Sequence, residues 1–386
     1  MAAQNIQIIG AGIAGLTAAL AFARNGHDVE IVDSAHELSE VGAGLQVSPN
    51  ASRILNALDL GAALDAAMTR PAQITLASGR SLRTITGVPC GEFATRRWGA
   101  PYGVLHRADL QRLLLDAVKA EPRCCLRLDQ RIETADIARM QRQGRLIVGA
   151  DGVWSQTRRL VTGAARPEFS GQVAWRFIVP VEAVTGVIDP RNVTAFLGAR
   201  THLVAYPLDH GKSINMVAIT KGKDPGQTWA EREIPADRAT LLATFSDWHP
   251  ALGSILRGAP DMTWWPLFEM ADGHWGNGTD LLLIGDAAHA MTPFAAQGAA
   301  MAIEDGYELA QAVTCASSGL GPALASFENR RRTRIAKARS RAAFNQFAYH
   351  ARGPVRLGRD LVLALKSPES LAGDLDWLYG YRATGL

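Results

Sequence analysis

Cysteine is scarce in this chain: Cys90, Cys124, Cys125 and Cys315 are the four among 386 residues, with no CxxC pair and no framework spacing. That excludes a disulfide-stapled scaffold and suits a reducing compartment. Adjacent Cys124 and Cys125 are expected on opposite faces of one strand. Long hydrophobic runs are missing too. No stretch of about 18 uncharged apolar residues occurs, so the sequence offers no membrane-spanning helix. The segment from Ile6 to Phe22 is apolar, but glycines interrupt it and no basic region precedes it, which argues against a secretory leader and for the cytoplasm. An excess of charge of one sign is also absent: 40 Lys plus Arg stand against 37 Asp plus Glu, a net charge of +3. So close a balance gives no electrostatic case for nucleic acid or an acidic membrane surface. Internal repeats and low-complexity tracts are lacking. What is left is a chain 47% hydrophobic, long enough for one large domain or two intimate ones, whose work is expected on small molecules.

Several stretches carry structure and chemistry. "NIQIIGAGIAGLTAALAFARNGHDVEIVD" reads as a buried strand, a tight glycine turn, a helix and a second strand ending at Asp33. Gly10 permits the turn, Gly12 lets backbone approach a pyrophosphate, and Gly15 lets the helix pack on the strand. Asp33 follows where a carboxylate can accept from ribose hydroxyls. The pattern predicts a bound dinucleotide without separating FAD from NAD. In "VGAGLQVSPN" a glycine-rich loop precedes a helix capped by Ser48 or Asn50. "VLHRADLQRLLLDAV" gives a short strand, Arg107, and an amphipathic helix with Leu110, Leu113, Leu114 and Val118 at helical spacing. "RLIVGADGVWSQTRRL" repeats the strand, turn and helix theme, with Asp151 and Gly152 at the turn. Between about 170 and 268, "QVAWRFIVPV", "HLVAYPL" and "INMVAIT" predict antiparallel strands of a separate sheet. "TDLLLIGDAAHAMTPFAAQGAAMAIEDGYELAQAV" predicts a strand at 281–284, a turn at Gly285 and Asp286, and a helix from about Gln297. The closing third reads as helical. Its basic run "ENRRRTRIAKARSRAAFNQF" is taken as a solvated helix surface whose apolar side carries Ile335, Ala338, Ala342 and Phe347.

Three of these motifs in order, GAGIAG at 10–15, GADGVWSQTR at 149–158 and GDAAHAMTPFAAQGAAMAIEDG at 285–306, resemble the single-component FAD-dependent aromatic hydroxylases. The likeness spans the chain and is greatest to the salicylate hydroxylase and 6-hydroxynicotinate 3-monooxygenase branch, through "VGAGLQVSPN", "GEFATRRWGAPYGVLHRADL" and "WLYGY". The resemblance implies an α/β fold. A Rossmann-type FAD-binding domain would occupy 1–169, an antiparallel β-sheet substrate subdomain 170–268, and 269–386 would return to the FAD domain and add C-terminal helices. It implies FAD as cofactor and NADH or NADPH as co-substrate, with no second GxGxxG for the reductant. The substrate would be a small aromatic, hydroxylated with O₂ through a flavin C4a-hydroperoxide. A monomer or homodimer is expected.

Site residues follow from the same resemblance. Gly10, Gly12, Ala14, Gly15, Asp33, Ser34, Gly44, Arg107, Ile132 and Asp151 would bind FAD, as would Asp286, Gly298 and Ala299. Asp286, read as a buried acid in need of partners, would meet the ribityl hydroxyls. The helix starting near Gln297 would aim its N–H groups at the flavin's pyrimidine end. The alternatives are that Asp151 caps the helix that follows it and that Arg107 makes a surface ion pair. His202 and Tyr206, four apart on a predicted strand, share one face and match substrate-contacting residues of the branch. An imidazole can relay a phenol proton, and a tyrosine can donate to a carboxylate or hydroxyl. Pro293 and Phe294 would lie against the flavin ring. Gln46 and Phe294 stand where 6-hydroxynicotinate enzymes carry histidines, so another hydroxylated aromatic acid is at least as well supported. Arg176 and Arg83 are candidates for a substrate carboxylate. The stretch 124–152 is shorter than the family's meander, which predicts a trimmed sheet edge. A flavin-dependent halogenase or epoxidase and a flavin-binding redox sensor are the alternatives; "TWWPLF" lacks the halogenase spacing WxWxIP.

Overall fold

The strands follow the chain as β1 (Asn5–Ile9), β2 (Asp28–Val32), β3 (Gly44–Val47), β4 (Gln73–Ser78), β5 (Thr84–Pro89), β6 (Gly103–His106), β7 (Cys124–Arg127) and β8 (Leu146–Gly149). They continue as β9 (Pro167–Pro180), β10 (Val193–Gly198), β11 (Thr201–Leu208), β12 (Ser213–Lys221), β13 (Glu231–Arg232), β14 (Thr263–Met270) and β15 (Leu281–Leu283). The structure is a computed structural model and describes residues 4–38, 44–224, 226, 231–232, 235–260 and 262–386. The Val41 to Ala43 part of the expected glycine-rich loop lies outside the described residues.

One sheet has the order β15-β8-β1-β2-β7 and is parallel throughout. Its strands are short apolar runs because both faces are covered, β1 reading Ile6, Ile8 and Ile9 with no exposed member after Asn5. The helix Ile13–Arg24 returns the chain from β1 to β2 and is buried along almost its whole length. Its small residues let the Gly298–Thr314 helix lie directly on it: a Cβ on Gly306 would stand 2.7 Å from the backbone nitrogen of Ala18. β7 forms the edge of the sheet, with Cys124 half-buried and Cys125 exposed on its two faces. A helix, Thr134–Arg142, joins β7 to β8.

The second sheet is larger than the strands of 170–268 alone. Its order is β13-β14-β9-β12-β11-β10-β4-β5, so β4 and β5 from far earlier in the chain complete it, and β10 runs parallel to β4. Period-two alternation sends Leu203 and Ala205 of β11 to one face, packed with Leu241, Phe245, Leu252 and Leu256 from the helices behind. Tyr206 and Leu208 go to the other face and join the core shared with the parallel sheet. The fold is thus α/β, a Rossmann-type layer joined to a mixed sheet, with helices from Leu320 to Tyr379 closing the chain.

Three local expectations need correction. After GADG only a single 3₁₀ turn forms, Thr157–Leu160, because Asp151 draws the chain back on itself. Phe347 is 64% exposed, while Ile335, Ala338 and Ala342 are buried as expected. The basic run is only partly a solvated surface: Arg331 and Arg334 are buried.

Candidate active site

The parallel sheet brings three loops together, because β15, β8 and β1 are neighbours and all end on the same side. Open α/β sheets bind ligands at the carboxyl ends of their strands. GAG follows β1, GADG follows β8 and GD follows β15. Gly10 has φ 104° and sits so close to β8 that a Cβ would be 2.4 Å from the Ala150 carbonyl oxygen. Gly15 packs on Gly10 itself, its Cβ position only 1.9 Å from the Gly10 oxygen. Space is open around Gly12, the N-cap of the helix, where no side chain caps the amides and no acidic residue occupies the first turn. Bare N–H groups at a buried helix start suit an anion. Asp33 closes the loop from β2: Oδ2 accepts from the Ala11 N–H at 2.7 Å and Oδ1 from the Ala35 N–H at 2.9 Å. Ser34 beside it is exposed, and Ile132 is half-buried against the core. Arg107, half-buried, starts the helix whose Gln111 reaches the Ala11 carbonyl.

The GD loop touches the first loop directly, since a Cβ on Gly285 would stand 2.9 Å from the Ala14 methyl. Asp286 is half-buried rather than buried, and its carboxylate makes no hydrogen bond among the described residues. The fully buried acids are further along, Glu304 and Asp305. Asp305 accepts the Gly285 N–H at 2.9 Å, meets His289, and receives Arg331 Nε at 2.7 Å. Burial alone would raise its pKa, but His289 and Arg331 beside it hold it below the ordinary carboxylate value. Glu304 pairs with Arg331 at 2.6 Å, Arg334 at 2.8 Å and the Asn50 amide at 2.7 Å. Asn50 and Ser48 in turn meet Gln297, the N-cap of the Gly298–Thr314 helix. That helix start also lacks an acidic residue or a side-chain cap, and the space around Gly298 is open. Gly298 and Ala299 are half-buried.

Arg158 binds the second and third loops into one unit. Buried, it donates from Nε to the Ala287 oxygen at 2.8 Å and from Nη1 to the Val153 oxygen at 2.8 Å, with Nη2 on the Gly152 oxygen at 3.1 Å. Burial lowers its pKa to about 10, against the opposing pull of Asp151 and Asp286. Asp151 spends its oxygens locally, accepting from Ser155 Oγ, from the Gln156 N–H at 2.8 Å and from the Thr157 N–H at 3.0 Å.

The large sheet faces these loops with a ladder of side chains. Opposed residues share a face, giving the row His202, Ile219, Ala174, Trp265, then Val204, Val217, Arg176, Thr263, then Tyr206, Asn215, Ile178. His202 is 3% exposed; its ring lies 5.1 Å from Phe294 and 5.4 Å from Tyr349, and its Nδ1 is 2.9 Å from His350 Nε2. Burial, with His350 alongside, holds its pKa well below 6.5. Phe294 is buried in the 3₁₀ turn Pro293–Ala295, and Pro293 is half-buried at its start. Tyr206 is buried next to Gly44, whose Cβ would lie 2.7 Å from its ring, and the Gly44 N–H donates to Asn215 Oδ1 at 2.9 Å. Burial raises the Tyr206 pKa, with Arg176 and Asn215 opposing. Gln46, on the same side of β3 as Gly44, accepts from the Tyr102 hydroxyl. Arg176 is half-buried with its guanidinium 5.4 Å from the Trp265 ring, so the tryptophan of "TWWPLF" serves this face. Arg83 is exposed on the β4–β5 turn, away from the ladder.

Sequence reasoning therefore placed the loops and the His202–Tyr206 face, but missed Arg158, the Arg331–Asp305 and Arg334–Glu304 pairs, and His350. For Arg331 and Arg334 the sequence offered only a basic run and the adjacent acids of "AIEDGYE", which read alike whether solvated or buried. For His350 there was none.

Comparison with known proteins agrees with this arrangement. A family model described as FAD binding domain matches residues 3–342. The 3-amino-4-hydroxybenzoate 2-monooxygenase of Streptomyces platensis is 31% identical over 388 residues, covering 98% of this chain and 96% of its own. The 3-hydroxybenzoate 6-hydroxylase 1 of Aquipseudomonas alcaligenes is 31% identical, with 97% of each chain covered. Among solved structures, a salicylate hydroxylase substrate complex shares the fold with a TM-score of 0.79 at 21% identity, over 99% of this chain and 96% of its own.

Proposed function

Because this chain belongs to the FAD binding domain family and is an FAD-dependent monooxygenase, we propose that it uses NADH or NADPH and O₂ to hydroxylate a small aromatic acid that already carries a hydroxyl group. The observation that carries this reading is the buried His202–Tyr206 ladder standing opposite the Pro293–Ala295 turn, next to an uncapped helix start. The residues present fit FAD. Gly12, Ala14 and Gly15 would take the pyrophosphate at the uncapped helix start, Gly10, whose own N–H is spent on the Val32 carbonyl, would shape the turn, and Asp33 with Ser34 would take the ribose. Arg107, Gly44, Ile132 and Asp151 would border the cofactor, Asp286 would hold the ribityl hydroxyls, and Gly298 with Ala299 would receive the flavin's pyrimidine edge. When bound and reduced, FAD supplies the electrons that activate O₂ for transfer of one oxygen atom to the ring.

The chain's own residues do the rest. His202, held neutral by burial, accepts the phenol proton at Nε2 and so enriches the ring. Tyr206, held protonated, donates to the substrate's carboxylate or hydroxyl. Phe294 and Pro293 wall the pocket and exclude water. Gln46 can orient a polar group but cannot take a proton at neutral pH. In this reading residues 1–169 and 269–386 hold the cofactor while 170–268, completed by β4 and β5, hold the substrate. The described cysteines are all free, which suits the cytoplasm, and no described helix is long and apolar enough to cross a membrane. The enzyme would act as a monomer or homodimer.

The test is direct. FAD-loaded protein is mixed with NADH or NADPH and screened with 3-hydroxybenzoate, 3-amino-4-hydroxybenzoate, salicylate and 6-hydroxynicotinate. The expected result is stimulated reductant oxidation and a product heavier by one oxygen atom. No stimulation and no oxygenated product across hydroxylated aromatic acids would defeat the proposal.

A further inference from the structure

His350 lies 148 residues from His202 and ends the long Leu320–Tyr349 helix as its C-cap. The helix delivers it to the substrate side of the large sheet, and its carbonyl accepts the Arg200 N–H of the β10–β11 turn at 3.3 Å, which fixes where the helix stops. Its Nε2 meets His202 Nδ1 at 2.9 Å, and its ring lies 5.5 Å from Phe294. A hydrogen bond between two imidazoles requires one to donate and the other to accept, so neither ring can satisfy it while both are doubly protonated. His202 is buried, whereas His350 is half-buried.

From this geometry we propose that His202 and His350 form a two-ring proton relay, with His350 the positioning and exit residue for the proton His202 takes from substrate. The proposal rests on the hydroxylase reading above. His202 carries its proton on Nδ1 and presents Nε2 to the phenol. As the phenol proton arrives at Nε2, the Nδ1 proton passes to His350 Nε2, and the proton on His350 Nδ1 leaves to water. Each ring ends neutral with its tautomer reversed, and one proton has moved from the phenol to solvent. Both rings are held neutral near pH 7, His202 by burial and its partner, His350 by burial to about 4. Tyr349 on the same helix packs on His202 and is itself under the influence of Arg341, while Arg176 and Tyr206 lie further along the His202 face. Arg359 of the next helix donates to the Ala348 carbonyl at 2.7 Å while paired with Asp360 at 2.6 Å. Among the described residues no carboxylate hydrogen-bonds to either ring, so nothing holds the proton there as a fixed imidazolium.

Two variants and one spectrum decide it. His350→Gln keeps a hydrogen-bonding partner for His202 but cannot pass a proton; it is expected to retain FAD and substrate affinity while kcat falls about tenfold or more below pH 8 and recovers as pH rises. His350→Ala should behave likewise and regain turnover on addition of imidazole. Wild-type kcat and pH profile in His350→Gln, or no imidazole response in a folded, FAD-loaded His350→Ala, would overturn the relay. Independently of turnover, nitrogen NMR of the substrate-free holoprotein should show two neutral imidazoles sharing one ring proton, a signal absent from His350→Ala. Its absence in the wild type would overturn the pairing. If no aromatic acid stimulates the wild-type enzyme, the hydroxylase reading fails instead, while the spectrum still reports whether the rings are paired.

Discussion

Asp286 and His202 are each given one task at the residue scale, and the tasks separate experimentally. Asp286 is half-buried at the tip of β15, its carboxylate without a protein hydrogen bond among the described residues, in a loop that Arg158 has fixed in place. Its carboxylate is therefore available to ligand hydroxyls. A hydrogen bond to a charged acceptor is worth about 1.5–3 kcal/mol, so Asp286→Ala should weaken FAD binding by about ten- to a hundredfold. Fluorescence titration of the apoprotein with FAD reads this, and an unchanged Kd would remove Asp286 from the cofactor site. His202→Ala should leave that Kd as it is while lowering hydroxylation by roughly 10²-fold, the usual contribution of one acid or base. A variant that instead loses flavin would show His202 to be structural. Both residues stood out in the sequence for local reasons, Asp286 within a strand–turn–helix motif and His202 within a strand of period two. Their surroundings did not: Asp286 was expected to be buried, yet the buried acid that grips Gly285 is Asp305, twenty residues on.

The Gly298–Thr314 and Leu320–Tyr349 helices are tied together by buried charge. Arg331, with no exposed surface, bridges Glu304 and Asp305, and Asp305 holds the backbone of the GD turn. Removing one member of a buried pair leaves the other charge without compensation, which costs about 3–5 kcal/mol. Arg331→Met keeps the volume and strands the acids, so it should lower unfolding stability by about that amount in urea titrations. The companion effect is specific: because Asp305 carries the turn, FAD release should quicken even where the variant stays folded. Stability and flavin off-rate both at wild-type values would mean that the pair contributes nothing to either. The helices themselves were legible in the sequence through their spacing. Their partnership was not, because a basic run and an acidic pair 27 residues apart look alike whether solvated or buried, until the packing of one helix on the other is known.

For the whole molecule, the buried titratable groups set an acid limit. An unfolded histidine binds its proton near 6.5, whereas His350 in the fold does so only near 4 and His202 also well below 6.5. Between those values the unfolded chain holds more protons than the folded one, so stability falls as pH drops from about 6.5 to about 4. Glu304 and Asp305, whose folded values are depressed, contribute stability above the ordinary carboxylate range that is lost on further acidification. Chemical denaturation across pH 7.5 to 4 should show this progressive loss, and His350→Gln should flatten part of it. A flat profile in the wild type would contradict the neutral-histidine pair.

The sequence by itself determined the nucleotide-type loop, the α/β character, the FAD family and the strand that presents His202 and Tyr206. The loop and the strand depend on residues within one local unit, where spacing and side-chain type already dictate geometry, and the family on three such units in a fixed order along the chain. Tertiary structure alone decided that the loops after β1, β8 and β15, already assigned to one cofactor by resemblance, end side by side, because only strand order makes them neighbours. It also decided that β4 and β5 complete the large sheet, that Arg158 and Arg331 are buried links rather than surface charges, and that His350 meets His202. These are contacts between segments distant in the chain. They exist only once apolar burial has brought two sheets and a long helix together, and no local pattern encodes them.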